Sequence, residues 1–348
     1  MNVAPWRHRL FWPVVTLVLL LAVNAAFNPS FIRITVRDGH LYGSLVDILK
    51  GAAPLALVAL GMTLVIATRG IDISVGAVVA ISAGVAAWMI GGSLVIHDGV
   101  SSYVSRFPMP LAIACALGVA MLCGAWNGAL VAGLGMQPII ATLILMVAGR
   151  GIAQLITNGQ IITVYYAPYF AIGNGYLAGL PVPFLLAAAV FAALLALVRR
   201  TALGLFIEAV GINPAAAHVA GLPARRITFW TYVFCGLCAG IAGLIVSSTV
   251  KSADGNNAGL LMELDAILAV TLGGTSLTGG RFSLAGSAIG ALVIQTLTYA
   301  IYSMGVPPEV NLVVKAAVVF AVMLLQSPEF RLTLAQWARR PLPSQEAG

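Results

Sequence analysis

Few side chains in this sequence are spaced for catalysis or for metal binding. The four histidines are scattered along the chain: His8, His40, His97 and His218. No HExxH pair occurs, and no histidine has the cysteine or carboxylate neighbours that would converge on a zinc ion. The sequence therefore predicts no metal site and no catalytic centre.

Three motifs that resemble redox or nucleotide-binding patterns fail on their context. CGLC at 235–238 lies in an apolar run without thioredoxin-like surroundings, so buried small residues are the better interpretation. GNGYLA at 173–178 has the spacing of a dinucleotide-binding loop but follows no strand. Lys251, the only lysine followed by a serine or threonine, is preceded by Val250 where a P-loop has glycine. The chain is expected to bind no cofactor and to hydrolyse no ATP by this route.

The remaining polar signal is a small set of side chains within or between apolar runs. Charged groups at membrane depth are unfavourable, so they normally face a bundle interior or an aqueous path. The candidates for such a path are Asp72, Ser74, Arg150, Asn256, Asn257, Asp265 and Gln295. For Asp72, Asn256 and Asn257, a position at a helix end or in a loop is an equally good interpretation.

The composition is that of a polytopic membrane protein. Of 348 residues, 60% are hydrophobic and 8% are charged, and the mean hydropathy is +1.01, whereas soluble domains have about 25% charged residues. No polar stretch is long enough for a soluble domain, so residues 1–348 are expected to form a single membrane domain. The net charge of +7 indicates basic cytoplasmic loops rather than nucleic-acid binding.

The apolar runs predict an all-α bundle of about ten transmembrane helices, since a span needs about 17–25 residues. The predicted spans are 10–27, 52–68, 73–96, 110–134, 138–157, 183–198, 228–250, a short, interrupted span from 264 to 273, 284–304 and 310–325. The first run is too long for a signal peptide and is expected to be retained. The arginine bias of the loops predicts that both termini are cytoplasmic. An amphipathic external segment is expected up to Lys50, and glycines spaced four apart predict close helix packing.

The stretch EAVGINPAAAHVAG at 208–221 has start and stop signals for a helix of about two turns. Asn213 can cap it, Pro214 suits the first helical position, and Gly221 can end it. Two pairs of arginines flank the stretch, at 199–200 and 225–226. A helix this short cannot cross a bilayer, so it is expected to lie at the membrane surface.

Three motifs resemble bacterial ATP-binding-cassette importer permeases of the ribose, arabinose and xylose group. They are GMTLVIATRGIDISVGAVVAISAGVAA at 61–87, the stretch at 208–221, and DAILAVTLGGTSLTGGRFS at 265–283. Within that group, ATLILMVAGRGIAQLITNGQ at 141–160 and NNAGLLMELD at 256–265 are most similar to galactofuranose importer permeases. Arg69 departs from the pattern, because the family usually has glycine there, and contacts at this turn are expected to differ.

The resemblance implies a permease subunit that moves a monosaccharide, galactofuranose by the closest likeness, across the bacterial inner membrane. It implies the ten-helix importer fold and three partners: an ATPase subunit that uses the ATP, a second permease that is a paralogue or an identical copy, and a periplasmic sugar-binding protein. A short cytoplasmic helix in segment 199–227 would dock on the ATPase. The implied coupling residues are Glu208, Ala209, Gly211, Asn213, Ala216, Ala217 and Gly221.

Three alternatives stay open. A permease of the same type could move ribose, arabinose, xylose or another monosaccharide. An ion-coupled secondary transporter would also have broken helices and acids at the membrane midplane, but the chain has few such acids and carries the docking stretch. A membrane enzyme would need convergent catalytic groups, and the sequence offers none.

Overall fold

The computed structural model describes residues 10–37, 39–97, 100–305 and 307–326. The terminal residues on which part of the charge argument rests, Arg7, Arg9, Arg331, Arg339 and Arg340, lie outside this part, as does His8. The helices of the described part are α1 Phe11–Phe27, α2 Ser44–Ala67, α3 Val75–Ile90, α4 Met109–Gly128, α5 Pro138–Ile156, α6 Ala167–Asn174, α7 Val182–Arg200, α8 Leu203–Ile212, α9 Pro214–Val219, α10 Ala224–Val250, α11 Met262–Leu272, α12 Leu284–Ser303 and α13 Pro308–Gln326. A π-helical segment, Ala129–Gly133, continues α4, and the 3-10 helix Pro29–Ile32 follows α1.

Four short antiparallel strand pairs accompany the helices. They are β1 Thr35–Arg37 with β2 His40–Tyr42, β3 Ser93–His97 with β4 Val100–Val104, β5 Ile162–Thr163 with β8 Ser252–Ala253, and β6 Tyr176–Leu177 with β7 Leu180–Pro181. All of them connect helices at one end of the bundle, which we call the strand end. The opposite end carries α8, α9, the α2–α3 turn and the loop at Gly279, and we call it the α9 end.

Six helices in the described part are long and apolar enough to cross a membrane: α2, α4 with its π-helical continuation, α5, α7, α10 and α12. Shorter apolar helices are α1, α3, α8 and the stretch Leu312–Ala321 within α13. The predicted all-α membrane class is therefore confirmed. Length and composition show six crossing helices in the described part, and the predicted number of about ten is not confirmed.

Three predicted boundaries were wrong, and α10 begins at Ala224 rather than at 228. The external segment that was expected to reach Lys50 is already helical from Ser44, because Asp47 lies in the first turn of α2 and Lys50 is held by the Asn174 side-chain oxygen at 2.8 Å. The third span was predicted to reach residue 96, but α3 ends at Ile90. Gly91 and Gly92 follow it, and the chain then pairs as β3.

The core of the bundle is built around α2 and α10, whose residues are mostly buried. α2 packs against α10, α12, α11 and α7, while α10 also packs against α4 and α3. Glycines allow these close crossings. A Cβ at Gly236 of α10 would collide with the Ala120 carbonyl oxygen of α4, and one at Gly290 of α12 would collide with the Ala269 carbonyl oxygen of α11. The predicted role of the spaced glycines in packing is confirmed.

The predicted interruption of the eighth span is also confirmed. α11 has only 11 residues and is about 16 Å long, which is about half of a hydrocarbon core of about 30 Å. It begins after Leu261, whose φ is +61°, and ends at Gly273 and Gly274. The backbone between β8 and α11 is irregular, and Arg150 of α5 binds two of its carbonyl groups.

Candidate functional sites

The structure brings some of the predicted path residues together and separates others. Arg150 lies beside the loop 254–258 that carries Asn256 and Asn257. Asp72 and Ser74 form a separate buried cluster with Asn127. Asp265 binds a lysine on α13, and Gln295 is half-buried against Gly51 of α2.

The first cluster joins α5 to the loop before α11. Arg150 Nη1 donates hydrogen bonds to the Ala258 carbonyl oxygen at 2.7 Å and to the Gly255 carbonyl oxygen at 3.3 Å. Gln154, one turn later on the same face of α5, donates from Nε2 to the Asn256 Oδ1 at 2.6 Å. Two side chains of one helix thus hold an irregular backbone segment, and we call this group the α5–loop cluster.

Asp254 organises the loop from within. Its Oδ1 accepts a hydrogen bond from the Asn256 backbone N–H at 2.8 Å, and its Oδ2 accepts one from the Asn257 Nδ2 at 2.7 Å. Burial acts to raise the pKa of the Asp254 carboxyl, but these hydrogen bonds and the charge of Arg150 lower it below its ordinary value. The carboxylate is therefore ionised at neutral pH, and its stabilising effect is lost only as the pH falls through this lowered pKa.

Sequence reasoning missed Glu263, an acid in the first turn of α11. Its side chain is only 4% exposed, and within the described residues its Oε2 has no hydrogen-bond partner. The oxygen lies against Gly76, where a Cβ would collide with it, and Arg150 is close enough to attract it electrostatically. An unpaired buried carboxyl oxygen is rare in folded proteins. The signal available in the sequence was an acid in an otherwise apolar stretch.

We expect Arg150→Met to lower transport while leaving insertion intact. The change removes the donor to two loop carbonyls and the positive charge nearest Glu263. Hydrogen bonds to charged groups contribute about 1.5–3 kcal/mol, so the transport rate should fall about tenfold or more. Uptake normalised to membrane-inserted protein measures this effect. Ile152→Met, at an exposed apolar position two residues away, is the control, and wild-type transport by Arg150→Met would contradict the prediction.

Asp265 makes an ion pair that the sequence did not reveal. Lys315 Nζ of α13 lies 2.6 Å from the Asp265 Oδ2, and the Lys315 side chain is 12% exposed and the Asp265 side chain 27% exposed. A lysine within an apolar run needs a partner such as a carboxylate. The position of Lys315 in such a run was therefore the signal in the sequence for an ion pair. The pair connects the short α11 to the last described helix.

Asp72 is enclosed in the chain. Its side chain is 2% exposed, and its Oδ1 accepts from the Ser74 backbone N–H at 3.0 Å, the Ser74 hydroxyl at 2.6 Å and the Asn127 Nδ2 at 3.2 Å. Because Ser74 directly precedes α3, this carboxyl lies at the positive end of the helix dipole. The geometry favours the helix-end interpretation of Asp72, and Ser74 binds the same carboxyl. Asn256 and Asn257 lie in an exposed loop. This position agrees with the alternative interpretation of these two residues, a place at a helix end or in a loop.

The candidate coupling segment contains two helices rather than one. The predicted short helix is α9: the Asn213 Oδ1 accepts from the Ala216 backbone N–H at 3.0 Å, Pro214 is the first residue, and Gly221 has a φ of +85°. The cap and stop signals are confirmed. Sequence reasoning missed α8, to which Glu208, Ala209 and Gly211 belong.

The candidate coupling residues do not all face outward. Asn213, Ala216 and Gly221 are exposed, and Glu208 and Ala209 are half-buried. Gly211 is buried, because a Cβ there would collide with the Ala67 carbonyl oxygen. Ala217 is 5% exposed and packs with apolar residues of α2, α8 and α10. Ala217 therefore anchors α9 to its own chain.

Arg69 joins this segment to the α2–α3 turn. Its Nε donates to the Gly211 carbonyl oxygen at 2.6 Å and its Nη2 donates to the Ile212 carbonyl oxygen at 2.5 Å. Its backbone φ is +65°, a left-handed conformation that is unfavourable by about 1–2 kcal/mol for a residue with a Cβ. The free energy contributed by two hydrogen bonds from a guanidinium group is large enough to offset this strain.

Among the described residues, no group of three histidine, cysteine or acidic side chains could hold a metal ion. Cys235 and Cys238 are both buried in α10 as free thiols.

Comparison with known families matches residues 44–323 to the permease component of the branched-chain amino acid transport system. The chain belongs to this permease family. The permease is therefore a multi-pass protein of the bacterial inner membrane, and it is a transport component rather than an enzyme.

Three of its relatives are named as sugar permeases. The permease is 50% identical to the galactofuranose transporter permease protein YtfT of Escherichia coli, over 93% of each chain. It is 39% identical to the fructose import permease protein FruF of Bifidobacterium longum, over 95% of this chain and 91% of that one. It is 35% identical to the ribose import permease protein RbsC of Escherichia coli, over 90% and 92%. The resemblance to this permease group is confirmed. No solved structure matches the chain.

Proposed function

We propose that the permease moves galactofuranose inward as the membrane subunit of an ATP-binding-cassette importer. The observation that carries this proposal is the 50% identity to a galactofuranose permease over 93% of both chains. Fructose and ribose permeases are less similar, at 39% and 35%. The family description refers to branched-chain amino acids, but these relatives are all named for sugars.

The proposed membrane arrangement has ten crossing or re-entrant helices, with both termini in the cytoplasm. They are α1, α2, α3, α4, α5, α7, α10, α11, α12 and α13. Support comes from arginine, of which the α9 end carries six, at 69, 199, 200, 225, 226 and 281, whereas the strand end carries three, at 33, 37 and 106, with Lys50 and Lys251. Cytoplasmic loops are enriched in arginine and lysine, so the α9 end is assigned to the cytoplasm and the strand end to the periplasm.

The assigned orientation can be tested by cysteine labelling in intact cells, after replacement of the native cysteines by alanine. A cysteine at His218 should resist a membrane-impermeant reagent until the membrane is opened, because α9 is cytoplasmic in this arrangement. A cysteine at Val104, at the strand end, should be labelled from outside. Labelling of the His218 variant in intact cells would overturn the orientation.

Three partners complete the proposed importer. An ATPase subunit binds α9 and uses the ATP, a periplasmic binding protein delivers the sugar at the strand end, and a second permease completes the pathway. The second permease is supported by the polar surface beside α5, where Gln154 is half-buried and Asn256 and Asn257 are exposed. Lipid cannot satisfy such groups, so a protein surface is expected to cover them.

We assign the α5–loop cluster to the wall of the translocation pathway. Its arginine, amide and carboxylate groups are those that hydrogen-bond to sugar hydroxyls, and it lies where an irregular backbone interrupts the bundle. Irregular backbone at membrane depth is tolerated where it lines a polar cavity. We assign Asp265 and Gln295 to supporting roles in the half of the bundle that contains the α5–loop cluster.

Uptake in a strain without other importers for these sugars tests the proposed function. The permease with its partner subunits should take up labelled galactofuranose, and excess ribose or fructose should compete poorly. Uptake should also require the ATPase. Uptake without the ATPase would favour an ion-coupled transporter, and preferred uptake of ribose would reassign the substrate within the same class.

A further inference from the structure

Three separate parts of the chain meet at Arg69. The side chain binds the last two carbonyl groups of α8, as described above. The Gly280 backbone N–H, in the loop between α11 and α12, donates to the Ala67 carbonyl oxygen at 2.9 Å. Gly279 of the same loop has a φ of +85° and lies so close that a Cβ would be 2.5 Å from Arg69 Cγ. Arg69 therefore joins three elements at one point: the α2–α3 turn, the end of α8 and the loop between α11 and α12.

The carbonyl groups that Arg69 holds directly precede the coupling helix. Between α8 and α9 lies only Asn213, whose backbone is extended with a φ of −157° and a ψ of 100°. Rotation about this one residue would change the direction of α9. Because Arg69 holds the Ile212 carbonyl group, it fixes the peptide unit from which α9 turns, and so fixes where α9 starts relative to α2.

The positive charge of Arg69 also favours its contact with the carboxyl end of α8. The carboxyl end of a helix carries a partial negative charge and is stabilised by a nearby cation. α8 has no basic residue in its own last turn. Arg69 supplies that cation from another element, which makes the contact specific to the arrangement of α2 and α8.

We propose that Arg69 is a positioning residue that fixes the orientation of α9 relative to the bundle, so that movement of the ATPase reaches α2 and the loop after α11. This inference rests on the proposed role of α9 as the docking helix. The left-handed backbone at Arg69 would be most easily adopted by glycine. The presence of an arginine at this position is therefore explained by the carbonyl groups that it binds.

Two variants test the proposal in the complete importer. Arg69→Gly removes the side chain and relieves the backbone, so the permease should insert, assemble and unfold thermally as the wild type does. Substrate-stimulated ATP hydrolysis and transport should fall about tenfold, the effect of losing about 1.4 kcal/mol of contact. Arg69→Lys keeps one donor and the charge, and it should restore part of the loss.

A distance measurement separates positioning from a general effect on activity. Spin labels at Val219 of α9, which is 89% exposed, and at Leu134 beyond α4 should give a narrow distance distribution in the wild type. Arg69→Gly should broaden it, and Arg69→Lys should narrow it again. An unchanged distribution, or wild-type stimulation in Arg69→Gly, would overturn the proposal.

The same preparations distinguish failure of this inference from failure of the proposed function. Ala217→Pro removes the hydrogen bond from the Ala217 backbone N–H to the Asn213 carbonyl oxygen, 2.9 Å long, and so breaks α9 itself. If Ala217→Pro abolishes stimulation and Arg69→Gly does not, only the positioning role is wrong. If neither variant reduces stimulation, the coupling function of α9 is wrong as well.

Discussion

Ala216→Trp should abolish substrate-stimulated ATP hydrolysis and sugar uptake together. Ala216 is exposed on α9, next to the buried anchor Ala217, so a large side chain there extends from the surface that we propose docks on the ATPase. Excess bulk in a packed contact is unfavourable by about 1–3 kcal/mol, which weakens docking about ten- to a hundredfold. Stimulation of the reconstituted importer and co-purification of the ATPase measure the two consequences.

The permease itself should be unaffected by this change. Exposed substitutions alter stability by about 0.5 kcal/mol or less, so insertion and thermal unfolding of the isolated chain should match the wild type. Ala202→Trp, at an exposed alanine just before α8, is the matched control and should leave stimulation intact. Normal stimulation in Ala216→Trp would show that α9 is only a connection between α8 and α10.

Asp265→Leu should destabilise the permease more than any other single change proposed for the bundle. It leaves Lys315, 12% exposed, as an unpaired cation among apolar helices. Loss of one partner of a buried ion pair is unfavourable by about 3–5 kcal/mol, and the lower end applies because Asp265 is partly exposed. Thermal unfolding in lipid nanodiscs should show the loss.

The double variant tests whether the ion pair is the cause. Asp265→Leu combined with Lys315→Met removes both charges, and replacement of both partners by apolar groups is close to neutral. The double variant should therefore be more stable than either single variant, with the difference given by the double-mutant cycle. Additive losses would contradict this account.

Asp265→Asn should lower transport more than insertion, and a normal transport rate would make the residue a helix-end group without a role in transport.

Local features of this fold could be predicted from the sequence. Long apolar runs, the short interrupted span and the cap at Asn213 depend on residues close together in the chain, because composition and capping act within a few residues. The same locality explains the errors at Lys50 and at Ile90. The charged residues in the first turns of α2 and the glycine pair after α3 each shift the boundary of a helix. Neither of them changes the apolar pattern from which the boundary was predicted.

Contacts between distant residues were decided by the tertiary structure alone. Arg150 meets carbonyl groups more than a hundred residues away, Asp265 meets Lys315, and Arg69 meets the end of α8. In a membrane protein both the core and the lipid are apolar, so the sequence pattern does not show which face of a helix is buried. For that reason the sequence marked 208–221 as a helix at the surface, and only the packing decided that Ala217 faces inward and Ala216 outward.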